Sequence, residues 1–306
     1  MKIVVIGSSN TDMVIKVPRL PKTGETILGG KFYTTAGGRG ANQAVSAARA
    51  GGETTFVARV GNDMFGERAI ASFQEEGINT DHIVKDPDLP SGVAEIFMDE
   101  NGHSLVAVAS GANMNLSVYD IINAKQAIME ADIILMQLEV PMKTLEYAAK
   151  LANDAGRRFI LNPAPAQQLP ISLLKKISVL TPNEKEAELL TGIRVEDEDS
   201  AEDAGRILQS KGVSKVIITL GSLGALVLDS SGSELVSGFK INPVDTTAAG
   251  DIFNGALAVA IAENKNIFEA VKFANAAAAL SVAKMGALSS APNRDEILKF
   301  MSENFL

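Results

Sequence analysis

The chain reads as an α/β protein, a three-layer αβα sandwich with a central, mostly parallel sheet and a small projecting β-sheet lid. Three observations predict this. Short apolar runs alternate with helix-like segments through most of the 306 residues. The runs are continuous in their apolar character, as expected of parallel strands covered on both faces by crossover helices. The alternation lapses between residues 12 and 35 and again near 92–98, where short strands take the place of helices.

Taken in order, Met1-Lys2-Ile3-Val4-Val5-Ile6-Gly7 is a buried strand followed at once by polar Ser8, Ser9 and Asn10. Its apolar run is too short for a signal peptide. Met13–Val17, Thr26–Leu28, Lys31–Thr35 and Val93–Met98 are short strands punctuated by Pro18, Pro21, Gly24 and Gly29-Gly30. They predict a small sheet projecting from the binding edge of the main one, as a lid or a dimer contact. Ala41–Ala50 is a helix, Thr54–Val60 a strand, and Phe65–Glu76 a helix ending at Gly77. Asp132–Gln137 is a strand, followed by a helix near Pro141–Ala155. Phe159–Leu161 and Ile177–Leu180 are strands, then Asn183–Leu190 is a helix before Gly192. Ala201–Lys211 is helical, with the acidic run Glu196-Asp197-Glu198-Asp199 solvating its start. Lys215–Leu220 and Ala225–Leu228 are strands. The last third, Gly250–Ala262, Ile267–Ala283 and Arg294–Phe300, is helical. No repeat, low-complexity tract or long linker divides the sequence, so one domain over residues 1–306 is expected.

Composition narrows the function. An apolar fraction of 46% supplies a substantial core. The net charge of −9, from 28 basic and 37 acidic side chains, argues against a nucleic-acid surface. An acidic protein can still hold an anionic nucleotide through backbone donors and a divalent metal. With no cysteine, disulfides, thiolate nucleophiles and cysteine metal sites are excluded. The two histidines, His82 and His103, form no ligand-spaced cluster and are expected at the surface or in loops. No run of about 18 apolar residues occurs, so no membrane span is expected and a cytoplasmic protein is the simplest reading.

The segment Asp245-Thr246-Thr247-Ala248-Ala249-Gly250-Asp251, leading into Ile252–Leu257, carries the chemistry most directly. Small residues at a helix start leave backbone N–H groups open to an anion, at the positive end of the helix dipole. Asp251 follows in the first turn, where the dipole favours its anionic form and where it can take a proton from a hydroxyl. Taken alone, an Asp there is also ordinary helix-start chemistry. Gly37-Gly38-Arg39-Gly40-Ala41-Asn42-Gln43-Ala44 is the second constellation, with three glycines ahead of a helix and two amides suited to sugar hydroxyls. It is neither a dinucleotide fingerprint, because the third glycine and the preceding first strand are missing, nor a Walker A loop, because Gly-Lys-Ser/Thr is absent. Asn10-Thr11-Asp12, Glu139, Asn183-Glu184 and Thr219-Leu220-Gly221-Ser222-Leu223-Gly224 each follow a strand. Each is compatible with a turn or cap; together, at successive strand ends, they suggest one shared site.

These segments together resemble the PfkB carbohydrate-kinase family, over essentially the whole chain. The glycine motif and the Asp245–Asn254 segment are similar to the family's two signatures. Gly-Gly-x-Gly-Ala-Asn-Gln-Ala, Leu161-Asn162-Pro163-Ala164-Pro165-Ala166 and Thr181-Pro182-Asn183-Glu184 resemble its ribokinase branch, whereas fructokinases and adenosine kinases typically differ there. The resemblance implies a ribokinase-like fold and ATP-dependent phosphorylation of D-ribose at its 5-hydroxyl. It gives Asp251 the role of base and Ala248, Ala249 and Gly250 that of an anion hole. It places Asn10, Asp12, Gly38, Arg39, Asn42 and Glu139 around the sugar. Asn183, Thr219, Gly221, Ser222, Gly224, Gly250 and Asn275 would line the ATP site. It further implies Mg2+, with Glu186 acting through water, and K+ held by Asp245, the Thr247 carbonyl, backbone oxygens of Ser281, Lys284 and Gly286, and Ser290. A homodimer through the lid completes the expectation. Two departures stand out: Arg39 replaces the family's usual Lys, and Met13 stands where many members carry His. The alternatives are a kinase of another pentose, deoxyribose or a nucleoside, or a catalytically silent sensor. A nucleoside kinase needs a slot for the base, for which Phe32 and Phe97 are the lid candidates. An intact Asp251 argues against the sensor.

Overall fold

The computed structural model describes residues 1–99 and 103–304. Among them, nine strands form one sheet, in the order β13-β12-β11-β10-β9-β8-β1-β4-β5. These are β1 (Lys2–Ile6), β4 (Glu53–Gly61), β5 (Ile83–Asp86), β8 (Ile133–Met136), β9 (Arg158–Leu161), β10 (Val179–Leu180), β11 (Lys215–Thr219), β12 (Gly224–Asp229) and β13 (Gly232–Ser237). All neighbouring pairs from β5 to β11 run parallel; β12 and β13 close that edge as antiparallel strands.

The parallel strands are apolar on both sides because both sides are covered. Ile3 and Val5 of β1 face one core, and Val4 and Ile6 face the other. The first core is closed by helices α1 (Arg39–Arg49), α2 (Met64–Glu75), α9 (Ala249–Ala262), α10 (Ile267–Val282) and α11 (Arg294–Glu303). The second is closed by α3 (Val118–Asn123), α4 (Lys125–Glu130), α5 (Met142–Asp154), α6 (Ile171–Leu174), α7 (Glu184–Thr191) and α8 (Glu198–Ser210). α1 and α9 approach closely: a Cβ on Gly255 would lie 2.6 Å from the Gln43 carbonyl oxygen. The Ser46 hydroxyl donates to the Ile252 carbonyl across this contact at 2.8 Å. Among the described residues, no helix is long and apolar enough to cross a membrane.

The second sheet has four strands in the order β3-β2-β6-β7, namely β2 (Asn10–Lys16), β3 (Lys31–Gly37), β6 (Gly92–Met98) and β7 (Ser104–Ala109). Register sorts its side chains. Asp12 pairs with Thr35 and Ala94, and Val14 with Tyr33 and Ile96, so these share one face. Ile15 pairs with Phe32 and Phe97, and Phe97 with Leu105, on the opposite face. Met13 belongs to that opposite face too, one residue out of phase with Asp12.

The expected elements form with boundaries shifted by a few residues at most, and Asp197 caps α8 as its acidic neighbourhood suggested. Thr26–Leu28 is not a strand: it lies in an exposed excursion without a ladder partner, stapled at its base by the Arg19–Glu25 ion pair. β5, β7, β13, α3, α4 and α6 were not foreseen. β7 carries a continuous apolar run, Leu105-Val106-Ala107-Val108-Ala109, that the expectations from sequence omit, and the strand is exposed along its whole length.

One buried ion cluster ties α3 to the main sheet. Arg59 on β4 donates to Asp86 at 2.8 Å and to Asp120 of α3 at 3.1 Å, and both carboxylates are almost fully buried. Arg59→Met leaves two buried carboxylates without their counter-charge, so stability should fall by about 3 kcal/mol. Urea unfolding should show a lower midpoint at unchanged slope; an unchanged midpoint would mean the cluster is energetically neutral.

Candidate active site

The strand ends converge as the parallel sheet requires. β1 runs out into Ser8–Asn10, β8 into Gln137–Glu139, β9 into Asn162 and β10 into Thr181–Asn183, all at one edge. The inner face of the small sheet closes over this edge and leaves a cavity of about 410 Å³. Asn10, Asp12, Gly38, Arg39, Asn42 and Glu139 line it from the sheet side. Asn183, Asp245, Thr247, Ala248, Ala249, Gly250 and Asp251 line it from the other. A second cavity of about 280 Å³ adjoins, walled by Phe239, Ile241, Pro243, Ala278 and Val282, with Gly221, Ser222 and Asn275 among its polar rim. Thr246 and Ala249 belong to both cavities, so the two meet at the start of α9.

Asp251 is 4% exposed, in the first turn of α9. Its Oδ2 accepts from Asn42 Nδ2 at 3.1 Å, its Oδ1 accepts from Gln43 Nε2 at 3.0 Å, and the Arg39 guanidinium lies 3.8 Å from Oδ1. Burial pushes its carboxyl above the usual range, against the pull of Arg39 and the two amides. The expectation that the dipole keeps this acid low is corrected in direction: burial, the largest cause, pushes the carboxyl up. Ahead of it Ala248 takes a left-handed conformation (φ 61°) as the cap of α9; the Ala249 N–H donates to the Thr246 carbonyl at 3.3 Å, and Ala248, Ala249 and Gly250 line the cavity. A Cβ at Gly250 would meet no atom within 4 Å, so its missing side chain leaves room on the cavity side and is not a packing requirement.

Asp12, Glu139 and Asp251 crowd the same space. Asp12 is pushed up to about 6, first by burial and then by the charges of Glu139 and Asp251. Glu139 accepts from the Ser8 hydroxyl and from the Arg39 N–H, and pairs with the Arg39 Nε at 3.3 Å. The Arg-for-Lys departure thus puts a forked cation between two carboxylates, a geometry that an ammonium does not reproduce. Gly38 is obligatory here: its φ is 90°, and a Cβ would come within 2.8 Å of the Asn10 nitrogen. Asn42 Oδ1 is buried with no partner, an acceptor left over in the cavity wall.

Several expected residues sit just outside the cavities. Thr219 forms an isolated bridge with Asn183, and the Gly224 carbonyl accepts from the Leu220 N–H, so both shape the turn that presents Gly221 and Ser222. Asn275 borders the second cavity, but its amide donates to the Val236 and Ser237 carbonyls, fastening β13 to α10. Glu186 closes a capping box with Asn183, and burial raises its carboxyl. Asp245 Oδ1 accepts from the Thr247 N–H and Oδ2 from the Gly286 N–H, both at 2.9 Å. The hydroxyls of Ser281 and Ser290 donate to backbone carbonyls within their own turns, and Lys284 pairs outward with Glu296. Met13, Phe32 and Phe97 lie on the face of the small sheet turned away from the cavity. Gln43, expected with Asn42 to offer an amide to sugar hydroxyls, is instead fully buried, with its amide committed to Asp251, Asn162 and Gln137. Residue types alone did not reveal Asn113, whose amide donates to Asn10 Oδ1 at 2.8 Å, or the part that Gln137, Thr181 and Asn254 play behind Asp251.

A carboxyl raised by burial costs stability where it is ionised. Asp12 in the folded chain titrates near 6, above its unfolded value, so folding is penalised above that pH and the penalty vanishes as pH falls towards 4. Asp12→Asn should therefore stabilise the ligand-free protein by about 1–3 kcal/mol at pH 8, with the gain shrinking to nothing near pH 4. Thermal unfolding across that range measures it; a gain independent of pH would contradict the carboxylate crowding.

Comparison with known proteins agrees with this geometry. Residues 1–294 match the pfkB family of carbohydrate kinases. The chain is 44% identical to a ribokinase from Haemophilus influenzae, covering 97% of each, and 37% identical to a deoxyribokinase from Salmonella typhi, covering 99% of this chain and 100% of the other. It superposes on the structure of Arabidopsis thaliana ribokinase complexed with ribose and ATP with a TM-score of 0.92, at 34% identity and 98% coverage of both chains. A buried carboxylate at a helix start, two cavities meeting there and full-length similarity lead to one conclusion: the chain belongs to the pfkB family of carbohydrate kinases.

Proposed function

We propose that this chain transfers the γ-phosphoryl group of ATP to the 5-hydroxyl of D-ribose. The observation that carries the reading is the position of Asp251, buried where a polar cavity and an apolar slot meet. The polar cavity suits a pentose. Asn10 has its oxygen occupied by Asn113, which leaves its N–H groups as donors; Asp12 and Glu139 supply acceptors. That surplus of acceptors favours a ligand rich in hydroxyls, ribose over 2-deoxyribose. The apolar slot suits an adenine, with its phosphates running past Thr246 and Ala249 to the α9 start. Phe32 and Phe97, the residues expected to form a nucleoside's base slot, face away from the cavity, whereas Tyr33 faces into it.

In this reading Asp251 accepts the hydroxyl proton while the first-turn N–H groups of α9 stabilise charge on the transferring group. Arg39, between Glu139 and Asp251, sits where it can meet the incoming phosphates. Among the described residues no cluster of three or more acidic or histidine side chains could enclose a metal, so Mg2+ would arrive on the nucleotide, with Glu186 touching it through water. A K+ ion would suit the loops joined by Asp245, with carbonyls of Thr247, Ser281, Lys284 and Gly286 and the Ser290 side as ligands. The side chain of Lys284 points to Glu296 and leaves that space to oxygen donors. The outward lid face, with Phe32 and Leu105 exposed, would be covered by a second copy in a homodimer.

A panel of pentoses, deoxyribose and nucleosides tested for ATP-dependent phosphorylation decides the acceptor, and ribose should be preferred. Asp251→Asn should lower the single-turnover rate roughly 10²–10⁴-fold with little change in ribose or ATP affinity. A near-normal rate would remove Asp251 from the chemistry. Phosphorylation of no sugar by the unaltered protein would favour a sensor.

Exchange of potassium for sodium tests the cation. Activity should fall in sodium-only buffer and recover with potassium, and Asp245→Ala should abolish that response. Equal rates in the two buffers would leave Asp245 as a loop tie alone.

A further inference from the structure

Behind Asp251 lies a chain of buried amides and hydroxyls that no contact with a ligand requires. Gln137 Nε2 donates to Gln43 Oε1 at 2.6 Å. Gln43 Nε2 uses both its protons, one to Asp251 Oδ1 at 3.0 Å and one to Asn162 Oδ1 at 3.2 Å. Asn162 Nδ2 donates to the Thr181 carbonyl at 3.0 Å, and the Thr181 hydroxyl donates to Asn254 Oδ1 at 2.6 Å. Asn254 Nδ2 then donates to the Gly250 carbonyl at 2.7 Å. The path leaves the carboxylate of Asp251 and returns to the peptide that carries the Asp251 N–H. Gln43 and Gln137 are fully buried, and Asn162, Thr181 and Asn254 nearly so.

The polarity of this path is fixed at its ends. The Thr181 carbonyl can only accept, so Asn162 must turn its N–H groups there and its oxygen towards Gln43. The Asp251 carboxylate likewise requires a donor. Gln43 therefore has to present nitrogen to both, and its oxygen is left for Gln137. A flipped Gln43 would set an amide oxygen against a carboxylate and a second amide oxygen, in a region without water contact.

We infer that Gln43, oriented by the acceptors at its nitrogen and by the Gln137 amide that donates to its oxygen, is the positioning residue of the base. It fixes the Asp251 carboxylate in rotation and keeps it ionisable despite burial, while Asn254 fixes the adjoining peptide of the anion hole. The inference rests on Asp251 acting as base. None of these side chains need touch sugar or nucleotide, so their effect should appear in the chemical step and its pH dependence and not in binding.

Gln43→Met keeps the volume and removes the donor. At saturating ribose and ATP, its single-turnover rate should fall at least tenfold, and the acid limb of the rate should move to higher pH, because an anion that loses a donor is harder to form. Ribose and ATP affinities should stay within about threefold. Gln137→Met, which removes the donor to Gln43 Oε1 but leaves both contacts of Gln43 Nε2 in place, should give a smaller shift in the same direction. An acid limb that does not move in either variant overturns the inference, as does a rate that falls only in proportion to lost binding or thermal stability. If Gln43→Met does not fold, Gln137→Met alone decides by the same criterion. Asp251→Asn measured in parallel separates the two readings. Inactivity there beside an unchanged Gln43→Met rate overturns the positioning inference alone, whereas a near-normal Asp251→Asn rate removes the base reading and the inference with it.

Discussion

A carboxylate buried between two closely packed helices and held by side-chain amides is the constraint around which this site is organised. Asp251 loses its water to the packing of α9 against α1, and that loss pushes its carboxyl upward. Compensation comes from α1 itself: Asn42, Gln43 and, at longer range, Arg39 all project from its first turns. The reach is short, so the helices have to lie nearly in contact, which explains the glycine at 255 and the alanine-rich character of both helices at their shared face. The apolar packing of these helices and the electrostatics of the site are in this sense one feature.

The same constraint spreads to the neighbouring acids. Asp12, Glu139 and Asp251 converge in one cavity, and Glu186 lies near enough to feel Asp251 and Arg39. Such crowding is unfavourable in the empty protein. It is the arrangement expected where hydroxyl donors and a cation-bearing nucleotide later supply the missing partners. Stability is given up locally at Asp12, while Arg59, Asp86 and Asp120 anchor the sheet a short distance away.

The small sheet divides its labour by register. One residue of displacement separates Asp12, which faces the cavity, from Met13, which faces out, and the same parity puts Tyr33 inside and Phe32 outside. A single sheet can therefore complete a polar site with one face and offer an apolar surface with the other. Asn10 connects this sheet to the main one and is held by Asn113 from the 3₁₀ turn Gly111–Asn115.

The sequence by itself determined the layering, the buried strands, the helix at residue 249 onward and the short segments at strand ends, because each leaves a local mark: an apolar run, a cap or a glycine cluster. Asn183 and Asp197 as helix caps, and the Asp245–Asp251 segment as a helix start, were legible for that reason. The tertiary structure alone decided which of these marks meet. β13 has polar positions and gave no periodic signal, β7 has an apolar run that lies exposed, and Thr26–Leu28 had the composition of a strand without a neighbour to pair with. The raised state of Asp251 was hidden because a helix dipole is a local property, whereas burial is set by residues about two hundred positions away. Gln43 stood out in sequence as an amide for sugar hydroxyls, and Gln137 not at all; their meaning comes from the acceptors that folding places around them, and hydrogen-bond polarity over such distances is a property of the packed chain alone.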